Sequence, residues 1–207
     1  FPGAVISAIP QDLNFNGEVT TAEIGDNIPL RECVTVNRGT VDRMKTVVGS
    51  HSLLMAYTHV AHDCIIGERV ILANAVTIGG HVIINDFARI GGVTAIHQFV
   101  QIGRHVMISG GALVRKDIPP FVKAGREPLA YVGVNSIGLR RAGFSNEAIN
   151  DIQDVYRKIY LSGLNTSRAL LAVEAELPPS PERDEIILFV QNASRGIMKG
   201  YGSQTED

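Results

Sequence analysis

The chain has 207 residues, enough to bury a full core in one or two domains. Its formal net charge of −2 offers no broad basic surface, so nucleic acid is not an indicated partner. Ile, Leu and Val supply 57 residues against 12 aromatics and no Trp, which suits a thin stacked core, and no membrane span is expected from a sequence without a run of about 18 apolar residues.

In chain order, the start FPGAVI falls one residue inside a six-residue block that reopens at Ile6. Phe1 is therefore read as a truncation point, with further N-terminal coils expected before it. Residues 10–22, rich in Asn, Gly and Thr, are expected as a loop thrown out from the coil, since Asp12 and Glu18 stand where aliphatic leads are due. Ile24, Leu30 and Val36 restore the leads. Asp42 breaks them again inside RGTVDRMK, which places a second loop over 37–46.

From Val48 the pattern is continuous. Positions 48, 54, 60, 66, 72, 78, 84, 90, 96, 102, 108 and 114 are all Val, Leu or Ile, and the fifth position of each block is mostly small or β-branched. Hexads of this kind form a left-handed parallel β-helix, three hexads closing an 18-residue coil with the leads stacked inward. The coil domain is assigned to 1–120, because Pro119 and Pro120 end the strand pattern. The short segment VKAGREP is read as a loop, and the period then becomes helical. Ser145 caps a helix with apolar residues at 149, 152, 155, 156 and 159; SRALLAVEAEL is a second; Ser180 and Pro181 open a third, with Ile186, Ile187, Phe189, Val190 and Ala193 as its buried stripe. Residues 121–207 thus make a C-terminal α-helical domain that caps the coil.

Four of the six histidines fall between 59 and 97. His62, Gly80 and Gln98 are 18 apart, so they stack on successive coils about 4.8 Å apart. His59, His81 and His97 lie within three residues of that column, and all four imidazoles are expected around one edge of the prism. His51 and His105, 54 apart, share a different face. Asp63 can fix the tautomer of His62 and stabilise its protonated form, provided the chain turns at 62–63, since adjacent strand residues point to opposite faces. No H-x-x-x-x-H occurs, the spacing used by β-helical carbonic anhydrases, and no metal is expected. Cys33 and Cys64 give no disulfide framework, and Cys64 takes the small fifth position of its hexad, where a packed, inert thiol is expected. With a reducing compartment and no signal peptide, the chain reads as cytoplasmic.

The segments THVAHDC, IGGH, GGVTAIHQF, GRHVMISGG and GVNSIGLRRAGF resemble the UDP-N-acetylglucosamine O-acyltransferases of lipid A biosynthesis. The resemblance implies transfer of a 3-hydroxyacyl chain from acyl carrier protein to the sugar 3-hydroxyl, without a cofactor, by a homotrimer with clefts between neighbouring chains. It implies His62 as general base, Asp63 as its partner and the Gly80 N–H as oxyanion donor. It also implies that Gln11, Asp12, His59, His81, His97, Gln98, Asn135 and Arg141 contact substrate, and that Gly110 lies at the acyl-length ruler. Asn14 stands where the family has Lys, Ile137 where it has Glu, and Ala142 where it has a second Arg. The alternatives are an N-acyltransferase acting on an acylated UDP-glucosamine, a CoA-dependent acetyltransferase of the same fold, and a non-catalytic structural β-helix.

Overall fold

A computed structural model describes residues 1–200. Strands β1 (Val5–Ala8), β2 (Thr21–Ile24), β3 (Thr35–Asn37) and β4 (Lys45–Val48) are followed by two-residue strands at every sixth position, from β5 (Leu53–Leu54) to β15 (Leu113–Val114). Each short strand is a lead aliphatic with the residue before it. Strands 18 residues apart pair in parallel, Ile65 with Ile83 and Ile83 with Gln101, and this builds three flat sheets around a left-handed prism. Every lead from Val48 to Val114 is at most 4% exposed, and every fifth-position side chain from Ser52 to Ala112 is equally buried.

The corners have a common cause. The fourth residue of each hexad from His51 to His105 adopts left-handed φ, between 55° and 67°, although none of these residues is glycine. Such a residue costs about 1 kcal/mol or more locally, and the repeating ladders on either side hold it in place. Where the fifth residue is small and polar it bonds the next coil: Ser52 Oγ donates to Gly67 O (3.0 Å) and Thr58 Oγ1 to Ala73 O (3.3 Å).

The chain leaves the coil between β1 and β2 and again between β3 and β4. Ile6 pairs with Val36, 30 positions on rather than 18, so the first loop inserts twelve residues. Ile24 pairs with Val48 and Val36 with Val60, each 24 positions on, so the second inserts six. Whole multiples of six explain why the leads keep phase along the sequence across both loops.

The strand pattern does not end at Pro120. β16 (Val122–Gly125), expected as loop, pairs in parallel with Met107–Ile108, and β17 (Ala130–Val134) returns antiparallel to it. β18 (Lys199–Gly200) then adds in parallel to β17. These pairings join segments up to about 70 residues apart, and hexad counting carries no information about them.

A short helix that periodicity does not announce, α1 (Ser136–Arg141), is capped by Asn135. α2 (Asn146–Leu161), α3 (Thr166–Glu176) and α4 (Pro181–Gln191) follow, with Ser145, Asn165 and Ser180 as caps. The expected apolar stripe of α2 is buried, and its Tyr156 hydroxyl donates to Pro120 O (2.6 Å), pinning the helices to the end of the coil. In α4, Ile186, Ile187 and Val190 are buried and Phe189 is half-buried, while Ala193, expected in the same stripe, lies past the helix end and is half-buried. The last seven residues of the expected helical domain, 201–207, lie outside the described residues.

Candidate active site

The corner that follows β6 (His59–Val60) holds the densest group of titratable side chains. Asp63 takes the left-handed corner conformation (φ 59°), which breaks strand alternation and sets two consecutive side chains face to face. His62 Nδ1 lies 2.8 Å from Asp63 Oδ2. Asp63 is fully buried, and its carboxylate also accepts from Thr40 N–H (3.0 and 3.1 Å), Thr40 Oγ1 (2.6 Å) and Arg43 N–H (3.2 Å). Burial alone would push this carboxyl up, but the Thr40 hydroxyl, His62, the Thr40 N–H and the charge of His81 together hold it below its ordinary value. An ionised Asp63 can only accept, so Nδ1 of His62 carries the proton and Nε2 keeps a free lone pair.

That lone pair is on the side of Asp12 of the first loop, and the His62 side chain is 12% exposed. Asp12 Oδ2 stands 3.9 Å from Nε2, beyond hydrogen-bond reach, and the Asp12 carboxylate is held by the Asn14 N–H (2.9 Å). Asn14, where the family has Lys, adds a side-chain bond to the same carboxylate oxygen from its Nδ2 (3.3 Å). His81, one coil on, meets the His62 ring edge-on at 5.1 Å and stacks on Phe99 at 4.5 Å. Its imidazole is held below its ordinary pKa, first by burial. Its Nε2 lies 3.7 Å from Asp42 Oδ2. Gly80 lies on the coil beside His62, and among the described residues no protein acceptor takes its N–H.

The expected histidine edge divides. His62 and His81 form one cluster. His59 lies on the flat of its strand, where Nδ1 meets Thr35 Oγ1 (2.7 Å), and burial lowers its pKa. His97 is exposed and directs Nδ1 to its neighbour's backbone, Gln98 O (3.0 Å); the Gln98 side chain is exposed, as is Gln11 at the head of the first loop. Gly110 belongs to the corner column Ala56, Asn74, Gly92 and Gly110, on a different edge from His62.

Asn135 is committed within the chain: Oδ1 accepts from Gly138 N–H (3.3 Å) and Nδ2 donates to His105 O (2.9 Å). The helix it caps therefore sits on the corner of His105, and exposed Arg141 rides with it, so neither joins His62 in this chain. Sequence reasoning missed Thr40, Arg43 and Asp42; the only signal was that the second loop breaks the leads one coil before His62.

Ligand atoms of His62, Asp63 and His81 lie within 4.8 Å of one another, which are the residues that could approach a cation. The Asp63 oxygens are already filled by loop donors, leaving two imidazoles, fewer than a closed metal site uses. Cys64 is no nucleophile. Its thiol donates to Gly79 O (3.2 Å) and burial pushes its pKa up to about 12.

The chain is a hexad-built parallel β-helix with a helical cap, and its relatives make it an acyltransferase of the hexapeptide-repeat class. A profile described as "Bacterial transferase hexapeptide (six repeats)" matches residues 45–80, and one described as "Udp N-acetylglucosamine O-acyltransferase; Domain 2" matches residues 117–198. The chain belongs to the UDP-N-acetylglucosamine O-acyltransferase family. It is 52% identical over 207 residues to the acyl-acyl-carrier-protein–UDP-N-acetylglucosamine O-acyltransferase of Chlorobaculum parvum, covering 97% of this chain and 77% of that protein. Among solved structures it superposes on the UDP-N-acetylglucosamine acyltransferase from Bacteroides fragilis with TM-score 0.94 at 56% identity, over 96% of this chain and 78% of that one. The Arabidopsis UDP-N-acetylglucosamine acyltransferase matches with TM-score 0.89 at 32% identity, over 95% and 72%.

Proposed function

We propose that this chain moves a 3-hydroxyacyl group from acyl carrier protein to the 3-hydroxyl of UDP-N-acetylglucosamine, the first step of lipid A biosynthesis. The observation that carries the reading is the free Nε2 of His62, set in that tautomer by a buried Asp63 carboxylate at 2.8 Å. A sugar hydroxyl needs a base to accept its proton as it attacks, and a neutral imidazole suits that near pH 7. The hydroxyl oxygen bonds to the thioester carbon while its proton passes to Nε2, Asp63 stabilises the imidazolium, and the C–S bond then breaks to release the carrier-protein thiolate, which takes that proton back. A thiol leaving group, with a pKa of about 8.5, needs little acid assistance, so one base and one oxyanion donor suffice. The Gly80 N–H is the donor in this reading.

Asp12 and Gln11 of the first loop, with His59, His81, His97 and Gln98 along the coil, are assigned to the cleft. Asn135 and Arg141 sit at another corner of the same prism, which favours a homotrimer in which one chain's α1 helix completes the cleft of its neighbour. The donor and acceptor place the reaction in the cytoplasm; among the described residues no helix is long and apolar enough to cross a membrane.

The test is acyl transfer from 3-hydroxyacyl carrier protein to UDP-N-acetylglucosamine, run beside 3-hydroxyacyl-CoA and beside an acylated UDP-glucosamine as acceptor. The O-acyltransferase reading expects turnover with the first pair. His62→Ala should lower kcat by about 10²–10⁴ with substrate binding retained, since the base acts in the transition state. Full activity in that variant would remove His62 from the mechanism.

A further inference from the structure

We infer that the six-residue insertion on the coil before His62 is a carboxylate cradle, in which Thr40 and Arg43 are positioning residues that hold Asp63 against His62. The inference rests on the reading of His62 as general base.

The insertion is a tight, self-closed turn. Met44 N–H donates to Thr40 O (2.8 Å), Asp42 N–H to Thr40 Oγ1 (3.3 Å), and Thr20 Oγ1 to Gly39 O (2.5 Å). Gly39 is required where the turn closes, because a Cβ there would lie 2.2 Å from Lys45 N. The turn spends its inward-facing donors on one residue 20 to 23 positions later. Thr40 N–H spans both Asp63 oxygens, Thr40 Oγ1 reaches Oδ2, Arg43 N–H reaches Oδ1, and Arg43 Nη1 donates to Asp63 O (2.6 Å). An ordinary coil corner provides none of these groups, since a direct 18-residue coil would omit the turn altogether.

The chemistry requires such a cradle. A carboxylate with no solvent contact favours its neutral form, and a neutral Asp63 could neither fix the His62 tautomer nor stabilise an imidazolium. Loop donors keep the anion in place, and by sharing its lone pairs they stop it from becoming the final proton acceptor. The other charged or titratable groups facing the pair are Arg43 of the turn, Asp12 of the first loop beside His62, and His81, which stands 3.9 Å from Asp63 and is flanked by Asp42.

Thr40→Val keeps the shape and the N–H but removes the 2.6 Å donor; Thr40→Ser keeps the donor. In the full chain, the kcat/KM–pH profile for transfer to UDP-N-acetylglucosamine should change in Thr40→Val in two ways. Its acid limb, where the His62 base takes up its proton, should move to higher pH, because an Asp63 carboxylate with one donor fewer holds the imidazolium more tightly, and its plateau should fall about tenfold as the pair loses its alignment. KM for the sugar nucleotide should stay near wild type, and Thr40→Ser should restore both limb and plateau. Arg43→Gln, which loses the bond to Asp63 O, should displace the limb in the same sense and serves if Thr40→Val fails to fold. Profiles for both variants that superimpose on wild type after scaling would overturn the cradle. Full activity in His62→Ala would instead overturn the general-base reading beneath it.

Discussion

The His62 ring occupies the space that a side chain at Gly80 would fill: a Cβ there would stand 2.6 Å from both Cε1 and Nε2 and 3.2 Å from Nδ1. Gly80 is absent from the residues with left-handed φ, so glycine serves space here and not backbone freedom. Gly80→Ala should therefore displace the imidazole from Asp63 and lower kcat about 10²-fold or more, while thermal unfolding shows a loss of only about 1–3 kcal/mol. Wild-type kcat in this variant would show that the ring tolerates displacement and that the 2.8 Å bond is dispensable.

His105 predicts a pH dependence of stability. It is buried between Phe87 at 4.6 Å and Phe144 at 5.2 Å, and burial, with the neighbouring Arg104 charge, lowers its pKa to about 4. Unfolded, it takes a proton near 6.5; folded, it does not until about 4. Its contribution is thus complete above pH 6.5 and is lost as pH falls toward 4. His105→Phe keeps the stack, and Phe121 shows that phenylalanine accepts left-handed φ in this column. The stability of wild type relative to His105→Phe should fall by about 2–3 kcal/mol between pH 7 and pH 4, read by urea denaturation.

Tyr156→Phe isolates the junction between helices and coil. The Tyr156 ring is fully buried and its hydroxyl meets Pro120 O at 2.6 Å. Removing the hydroxyl leaves a buried carbonyl without that donor, so unfolding in urea should show a loss of about 1–2 kcal/mol with an unchanged slope. An unaltered midpoint would mean that water or another donor replaces the bond.

Gly110 predicts chain-length selectivity. A Cβ at Gly110 would lie 3.0 Å from Gly92 O, so a side chain there needs the adjoining backbone to give by a few tenths of an ångström. On the proposed function, an acyl chain running along this corner meets no side chain at Gly110, and donors of about fourteen carbons or more are expected. Gly110→Met should shift preference toward shorter acyl carrier protein donors in competition assays. Unchanged selectivity would place the end of the groove elsewhere.

Much of this molecule was legible in its hexads. Lead aliphatics such as Ile66, Ile84 and Ile102 specify both the coil and its 18-residue pairing, and that pairing brings His62 and Gly80 together from 18 residues apart. The His62–Asp63 contact was legible only conditionally, because strand alternation forbids it and the corner φ of Asp63 permits it. The cradle was not legible. Thr40 and Arg43 reach Asp63, 20 to 23 positions on, through a turn whose closure hexad counting does not encode, although two of its donors are side-chain groups. Asn135 shows the opposite limit: the resemblance marks it for substrate, yet within one chain its amide is spent on capping α1 and on His105 O.

The corner column Ala56, Asn74, Gly92 and Gly110 repeats every 18 residues, and neighbouring strands in such a coil stand about 4.8 Å apart. A saturated chain laid along the coil axis then passes one corner residue about every four methylenes. On the proposed function, accepted length comes in coil-sized steps: a blocking side chain moved from Gly110 to Gly92 should shorten the accepted chain by a whole coil, about four carbons. Finer steps must come from the size of the blocking side chain, because the backbone offers no intermediate position.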